Sequence, residues 1–241
     1  MRSARCAWLF LFLFLAVTSW GKQAPQLASA PQPASDPQAV AVVQAAITAL
    51  GGATAIGQAQ SWTFQAQMQG PHSNGNVDYM ISTHSDTGHF VLADGTMKPA
   101  PLIHSHFVPA LVGSILLKES QDPKFSIHYM GPTTLDSKPV TVITFLFTVG
   151  AVKLPSQIWT FDAANLPVLI DFRAPAEIGA RRSFPVVVTL LDYRNVAGVL
   201  YPFRIVSFLP GRPPQIVTLQ SIFASTTVPP SEFNGPGGDL R

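Results

Sequence analysis

The chain has 241 residues, 47% hydrophobic and only 12% charged, enough to bury one full β-rich core or two small ones. It holds 15 Lys and Arg against 13 Asp and Glu, and Arg2 and Arg5 lie in the first 21 residues, so the remainder is balanced and gives no electrostatic case for nucleic acid. A single cysteine, Cys6, excludes an intramolecular disulfide framework and any CxxC zinc or redox motif.

Residues 1–21 read as a secretory signal peptide. Arg2 and Arg5 precede an uncharged run, Ala7 to Val17, and Ser19 and Gly21 place small residues at a cleavage site. The run falls short of the ~20 residues a membrane-spanning helix needs. Export to the periplasm or the extracellular space follows. Residues 22–35, rich in Ala, Pro, Gln and Ser, read as a disordered linker with too little apolar surface to fold. Asp36-Pro37 opens a helix over 37–50, with Asp as N-cap and Pro in the first turn; Val40, Val43, Ile47 and Leu50 share a face, and Gly51-Gly52 stops it.

From Ser61 the pattern changes to β. Trp62, Phe64, Ala66 and Met68 alternate with Ser61, Thr63, Gln65 and Gln67, which predicts a strand with one apolar face. Val77–His84, carrying Tyr79 and Ile81, and His89–Ala93, carrying Phe90, continue a hairpin-linked meander. Lys98–Pro101 reads as a loop, followed by a helix over 107–118 with Leu111 and Ile115 on its apolar face. Strands resume at Phe125–Met130, Val140–Val149, Gln157–Asp162 and Val168–Ala174, with Phe145, Trp159, Phe161 and Phe172 among their aromatics. Three more apolar runs, at 186–194, 203–209 and 215–223, are separated by Asn195–Pro202 and by Pro210–Pro214. That makes about ten strands, and a domain over 36–236 with a tail at 237–241. In Val140–Val149 both faces are apolar, so something must cover the second: another sheet, or helices and a cavity on a concave side.

Trp159-Thr-Phe-Asp162 with Leu166-Pro167-Val168, Asp192-Tyr193-Arg194 with Gly198 and Pro202-Phe203-Arg204-Ile205, the exit at Val228–Phe233, and Leu50-Gly51-Gly52 after a helix together resemble the periplasmic lipoprotein-sorting group, the LolA/LolB/LppX-like carriers. The resemblance runs over 61–236 and is best over 156–236. It implies an α+β fold: a single curved antiparallel sheet forming an unclosed half-barrel, with two or three helices on its concave side and an apolar cavity for acyl chains. Trp62, Phe64, Met68, Tyr79, Ile81, Phe90, Leu111, Ile115, Phe145, Trp159, Phe161 and Phe172 are the candidate lining; each also reads as ordinary core. No cofactor is expected. The expected partner is a lipid or the acyl chain of a lipoprotein, with a membrane delivery partner beside it, and the chain is expected to be a monomer.

Two other classes stay open at this point. His104-Ser-His106 puts two imidazoles on one face of an extended segment, and with His128 they define a metalloenzyme or hydrolase alternative; no carboxylate stands at a recognisable ligand spacing, and no Gly-x-Ser-x-Gly elbow occurs. A ligand-free structural envelope domain is the third. Neither a phosphate loop nor a GxGxxG motif is present, and Arg181-Arg182 reads as a solvated loop.

Overall fold

In a computed structural model, the described residues are 35–70, 75–82, 87–91, 97–101, 111–149, 152–153, 157–175 and 183–227; the side chains at 76–82, 87–91, 97–101, 147–149, 152–153 and 174–175 are outside the description. The expected signal peptide and the tail therefore lie outside the described residues, as does all of the expected linker but Ser35.

Helices α1 (Pro37–Ala49) and α2 (Ala53–Gln58) lead into β1 (Ser61–Gln69), β2 (Gly75–Ser82), β3 (Thr87–Val91) and β4 (Met97–Pro101). Helix α3 (Val112–Gln121) follows, then β5 (Phe125–Leu135), β6 (Lys138–Val149), β7 (Val152–Lys153), β8 (Gln157–Phe161), β9 (Pro167–Pro175), β10 (Ser183–Val196), β11 (Val199–Phe208) and β12 (Gln215–Ser225). The strands make one twelve-stranded antiparallel sheet in the order β4-β3-β2-β1-β12-β11-β10-β9-β8-β6-β5, with β7 pairing β6 off that path. The two meanders meet where β1 pairs β12, from Ser61↔Ser225 to Gln69↔Ile216. β4 and β5 are the two ends of the order and do not pair, so the curved sheet is an unclosed half-barrel, with the three helices on its concave side.

That topology gives α3 its place. The chain leaves the sheet at one edge, β4, and rejoins it at the other, β5, with α3 in between. Alternation does the rest. Along β1, Trp62, Phe64, Ala66 and Met68 are buried while Thr63, Gln65 and Gln67 face water, so a single face of the sheet meets the helices. Val186, Val188 and Leu190 on β10, and Tyr201, Phe203 and Ile205 on β11, continue that buried face.

Several connections differ from the expected ones. Lys98–Pro101 belongs to edge strand β4; its prolines, which lack an N–H, are tolerated there because one side of an edge strand has no ladder to complete. Gly131-Pro132 does not end β5: the register shifts between Tyr129 and Gly131, so the pair is absorbed as a bulge, with Gly131 at φ 113°. The chain turns instead at Asp136-Ser137, both at positive φ. Asn195–Pro202 is likewise no loop, since β10 and β11 pair from Val187↔Phe208 to Val196↔Val199 around the two-residue turn Ala197-Gly198. Helix α3, described over Val112–Gln121, runs on past the expected end at 118, and 102–110 lie outside the described residues.

Helix α1 is stitched down at both ends. Asp36 caps it through its side chain, accepting from Gln38 N at 2.9 Å, while its own N–H donates to Ile127 O at 2.8 Å and Ser35 Oγ accepts from Ile127 N at 3.1 Å. At the far end Gly52 N reaches back to Ile47 O, and Leu200 N donates to Leu50 O at 2.8 Å. Gly51, at φ 125°, sits so close to the β10–β11 turn that a Cβ there would lie 2.3 Å from Gly198 O. The 13-residue helix, about 20 Å long, thus spans the concave face from edge strand β5 to that hairpin.

Candidate functional site

Beneath the helices the concave face is an aromatic wall. Phe125 meets Phe145 edge-on at 6.5 Å between ring centroids, Phe145 lies 5.8 Å from Trp159, and Trp159 stacks on Phe161 at 6.4 Å. Strand pairing produces this order. Ile143↔Trp159 and Trp159↔Ile170 set the indole in the middle of a row, and residues two apart along β6 and β8 put Phe145 and Phe161 on the same face. Across the sheet, β1 adds Trp62, Phe64 and Met68 to the same buried cluster.

The structure brings the expected lining residues together where it describes them. Trp62, Phe64, Met68, Leu111, Phe145, Trp159 and Phe161 are buried in one cluster, and Ile115 and Phe172 pack against it partly buried. Tyr79 and Ile81 pair with Phe64 and Trp62 in backbone register, and Phe90 pairs with Tyr79, but their side chains lie outside the described residues. The wall is covered by protein atoms: Phe64 and Phe161 are 0% exposed, and Trp62, Phe145 and Trp159 1%.

The polar groups on this face are few and specific. Trp62 Nε1 donates to Tyr201 Oη at 3.1 Å, and burial pushes the Tyr201 phenol up. Trp159 Nε1 donates to Gln157 Oε1 at 3.0 Å, and Gln157 Nε2 donates to Glu119 Oε1 on α3 at 3.4 Å. Among the described residues this is the hydrogen bond that joins α3 to the sheet through side chains. The second carboxyl oxygen, Oε2, is sealed from water and has no hydrogen-bond partner among the described residues. Burial, which outweighs the opposing Gln157 bond and Lys118 charge, raises the Glu119 pKa from 4.5 to about 7.

Glu119 is the residue that the sequence reading missed. A signal was there: Leu111, Ile115 and Glu119 are spaced four apart, so one more turn of the same apolar stripe ends on a carboxylate. His104 and His106 lie outside the described residues. His128 Nε2 is 3.2 Å from Ser126 Oγ on its own strand, and among the described residues no group of three or more His, Cys, Asp or Glu could hold a metal ion.

No family model and no curated protein matches the chain. Solved structures do. The chain is similar to a LolA superfamily protein from Nitrosomonas europaea, with a TM-score of 0.51 at 10% identity, over 81% of this chain and 96% of that one. It is also similar to a DUF1329 family protein from Desulfovibrio piger, with a TM-score of 0.50 at 10% identity, over 83% of this chain and 98% of that one. The chain therefore shares in broad outline the fold of the LolA superfamily.

Proposed function

We propose that this chain is an exported, non-catalytic protein that binds a lipid, or the acyl chain of a lipoprotein, on its concave face as a carrier or sensor. The observation that carries the reading is the continuous aromatic wall under helices that are separate from the sheet, in an open-edged half-barrel. The fold shared with a LolA superfamily protein supports it, as does the resemblance of 61–236 to lipoprotein-sorting carriers.

In the structure the wall is closed, so uptake requires a cover to move. Helix α1 is tied by backbone hydrogen bonds at both ends, whereas among the described residues α3 has no side-chain N-cap and its hydrogen bond to the sheet is the long Glu119–Gln157 contact. Helix α3 is therefore the cover that lifts. An incoming chain takes the place of Leu111, Leu116 and Ile115, which lie in or against the same buried cluster as Phe145, Trp159 and Phe161. Burying each ring is worth about 1.5–3 kcal/mol whether the neighbour is a side chain or an acyl chain. Helix and ligand thus compete for the same face on nearly equal terms, which suits a carrier that must also release.

A second reading, a packed structural domain with no ligand, is favoured by the complete covering of the wall. Native mass spectrometry of the full chain, gently purified from envelope extract, separates the two. The carrier is expected to show the polypeptide mass plus a lipid; the bare polypeptide alone would favour the structural domain.

A further inference from the structure

We propose that Glu119, oriented by Gln157, forms the polar end of the acyl-chain site and selects ligands whose head group donates hydrogen bonds, an amine over a carboxylate. This rests on the reading of the concave face as a lipid site. The indole Nε1 of Trp159 can only donate, so the oxygen of the Gln157 amide must face it, and the amide nitrogen must face Glu119. Thr144 Oγ1 donates to the Gln157 backbone carbonyl at 3.1 Å and holds that strand position. Glu119 Oε1 is thereby used as an acceptor, and Oε2 is left sealed and, among the described residues, unpartnered. A buried polar atom without a partner is rare and calls for an explanation. A ligand donor arriving with its chain along Trp159 and Phe145 supplies the missing partner.

The placement fits a head group. Glu119 stands one turn beyond Ile115 on the same stripe of α3, so it caps the run of apolar side chains that the ligand's chain would replace. Among the described residues, the surrounding charges leave it the acceptor at that end. Lys118 and Asp122 act on it with opposite sign, α1 and α2 carry no titratable side chain, β5 brings His128 and Tyr129, and β11 brings Arg204 and a Tyr201 already bound to Trp62. With a pKa raised to about 7, Glu119 releases its proton to water near neutrality when an ammonium pairs with the carboxylate that remains, and keeps it in the empty site below that.

The test uses the full chain and three probes of one chain length, decylamine, 1-decanol and decanoate, titrated calorimetrically below their micelle concentrations. Decylamine is expected to bind roughly tenfold tighter than decanoate. Its affinity should rise from about pH 6 to about pH 8 while that of decanoate falls, because only the ionised carboxylate pairs with ammonium and repels another carboxylate. Both slopes should vanish in Glu119→Gln, which keeps shape and neutrality. Equal binding of all three probes, without pH slopes, would overturn head-group selection and leave chain binding standing. No binding of any probe would overturn both. The slopes in the unaltered chain decide the matter even if the variant fails to fold.

Discussion

Glu119 stands in the last turn of α3, where the helix dipole already disfavours negative charge, and its Oε2 is sealed under the helix. The ionised form is therefore disfavoured in the folded protein, with burial as the largest cause and a pKa raised to about 7 from 4.5. Between about pH 4.5 and about pH 7 the folded chain keeps a proton that the unfolded chain has released, so stability is full below that window and is lost as pH rises through it. The loss should be on the order of 3 kcal/mol. Thermal midpoints of the wild type and Glu119→Gln across pH check this. The variant should gain on the wild type as pH climbs through the window and then hold a constant lead. A gap that stays constant from pH 4 to pH 8 would show that burial does not hold the proton on Glu119. The residue was readable as the end of a stripe, but its importance was not: its carboxyl is held through Oε1 by Gln157, 38 positions away, and no local pattern encodes that.

At the level of elements, the hairpins carry a strain that sequence change can relieve. The turns Asp136-Ser137 and Ala197-Gly198 each hold two residues at positive φ, the conformation of a type I′ turn, whose preferred pair is Asn-Gly or Asp-Gly. Ser137 at φ 63° and Ala197 at φ 53° are the misfits, because an L side chain there crowds its own backbone. Ser137→Gly and Ala197→Asn should each raise stability by about 0.5–1 kcal/mol, read as a higher denaturant midpoint with an unchanged slope. A lower midpoint would mean that the turns have another geometry. These turns also explain the limits of sequence reading. The alternation of β1 was legible because one face is polar throughout. The extent of β10 and β11 was not, because Asn195 and Pro202 look like loop residues; in the fold Asn195 Oδ1 accepts from Gly198 N at 3.0 Å and Pro202 pairs with Tyr193. Strand pairing overrode local turn chemistry there.

For the whole molecule, the half-barrel, its open edges and the helix cover follow from one arrangement: two meanders joined at β1–β12, with α3 on the crossover between the free edges. The chain read in order suggests the meanders but not their junction, since β1 and β12 are separated by most of the sequence. The aromatic residues were legible as a group by alternation, whereas the covering of the wall was not, because it depends on where the helices settle. The central claim is that an acyl chain displaces α3 and touches Trp62 and Trp159. Both indoles are already dry, so the colour of their emission is a poor reporter; contact quenching by bromine on the chain is a direct one. The measurement is a titration of the full chain with a mid-chain-brominated fatty acid, alongside the double variant Trp62→Phe, Trp159→Phe. The account predicts saturable quenching in the wild type, lost in the variant, with a thermal midpoint that rises as the ligand fills the site. Absence of quenching, or equal quenching in both proteins, would contradict it.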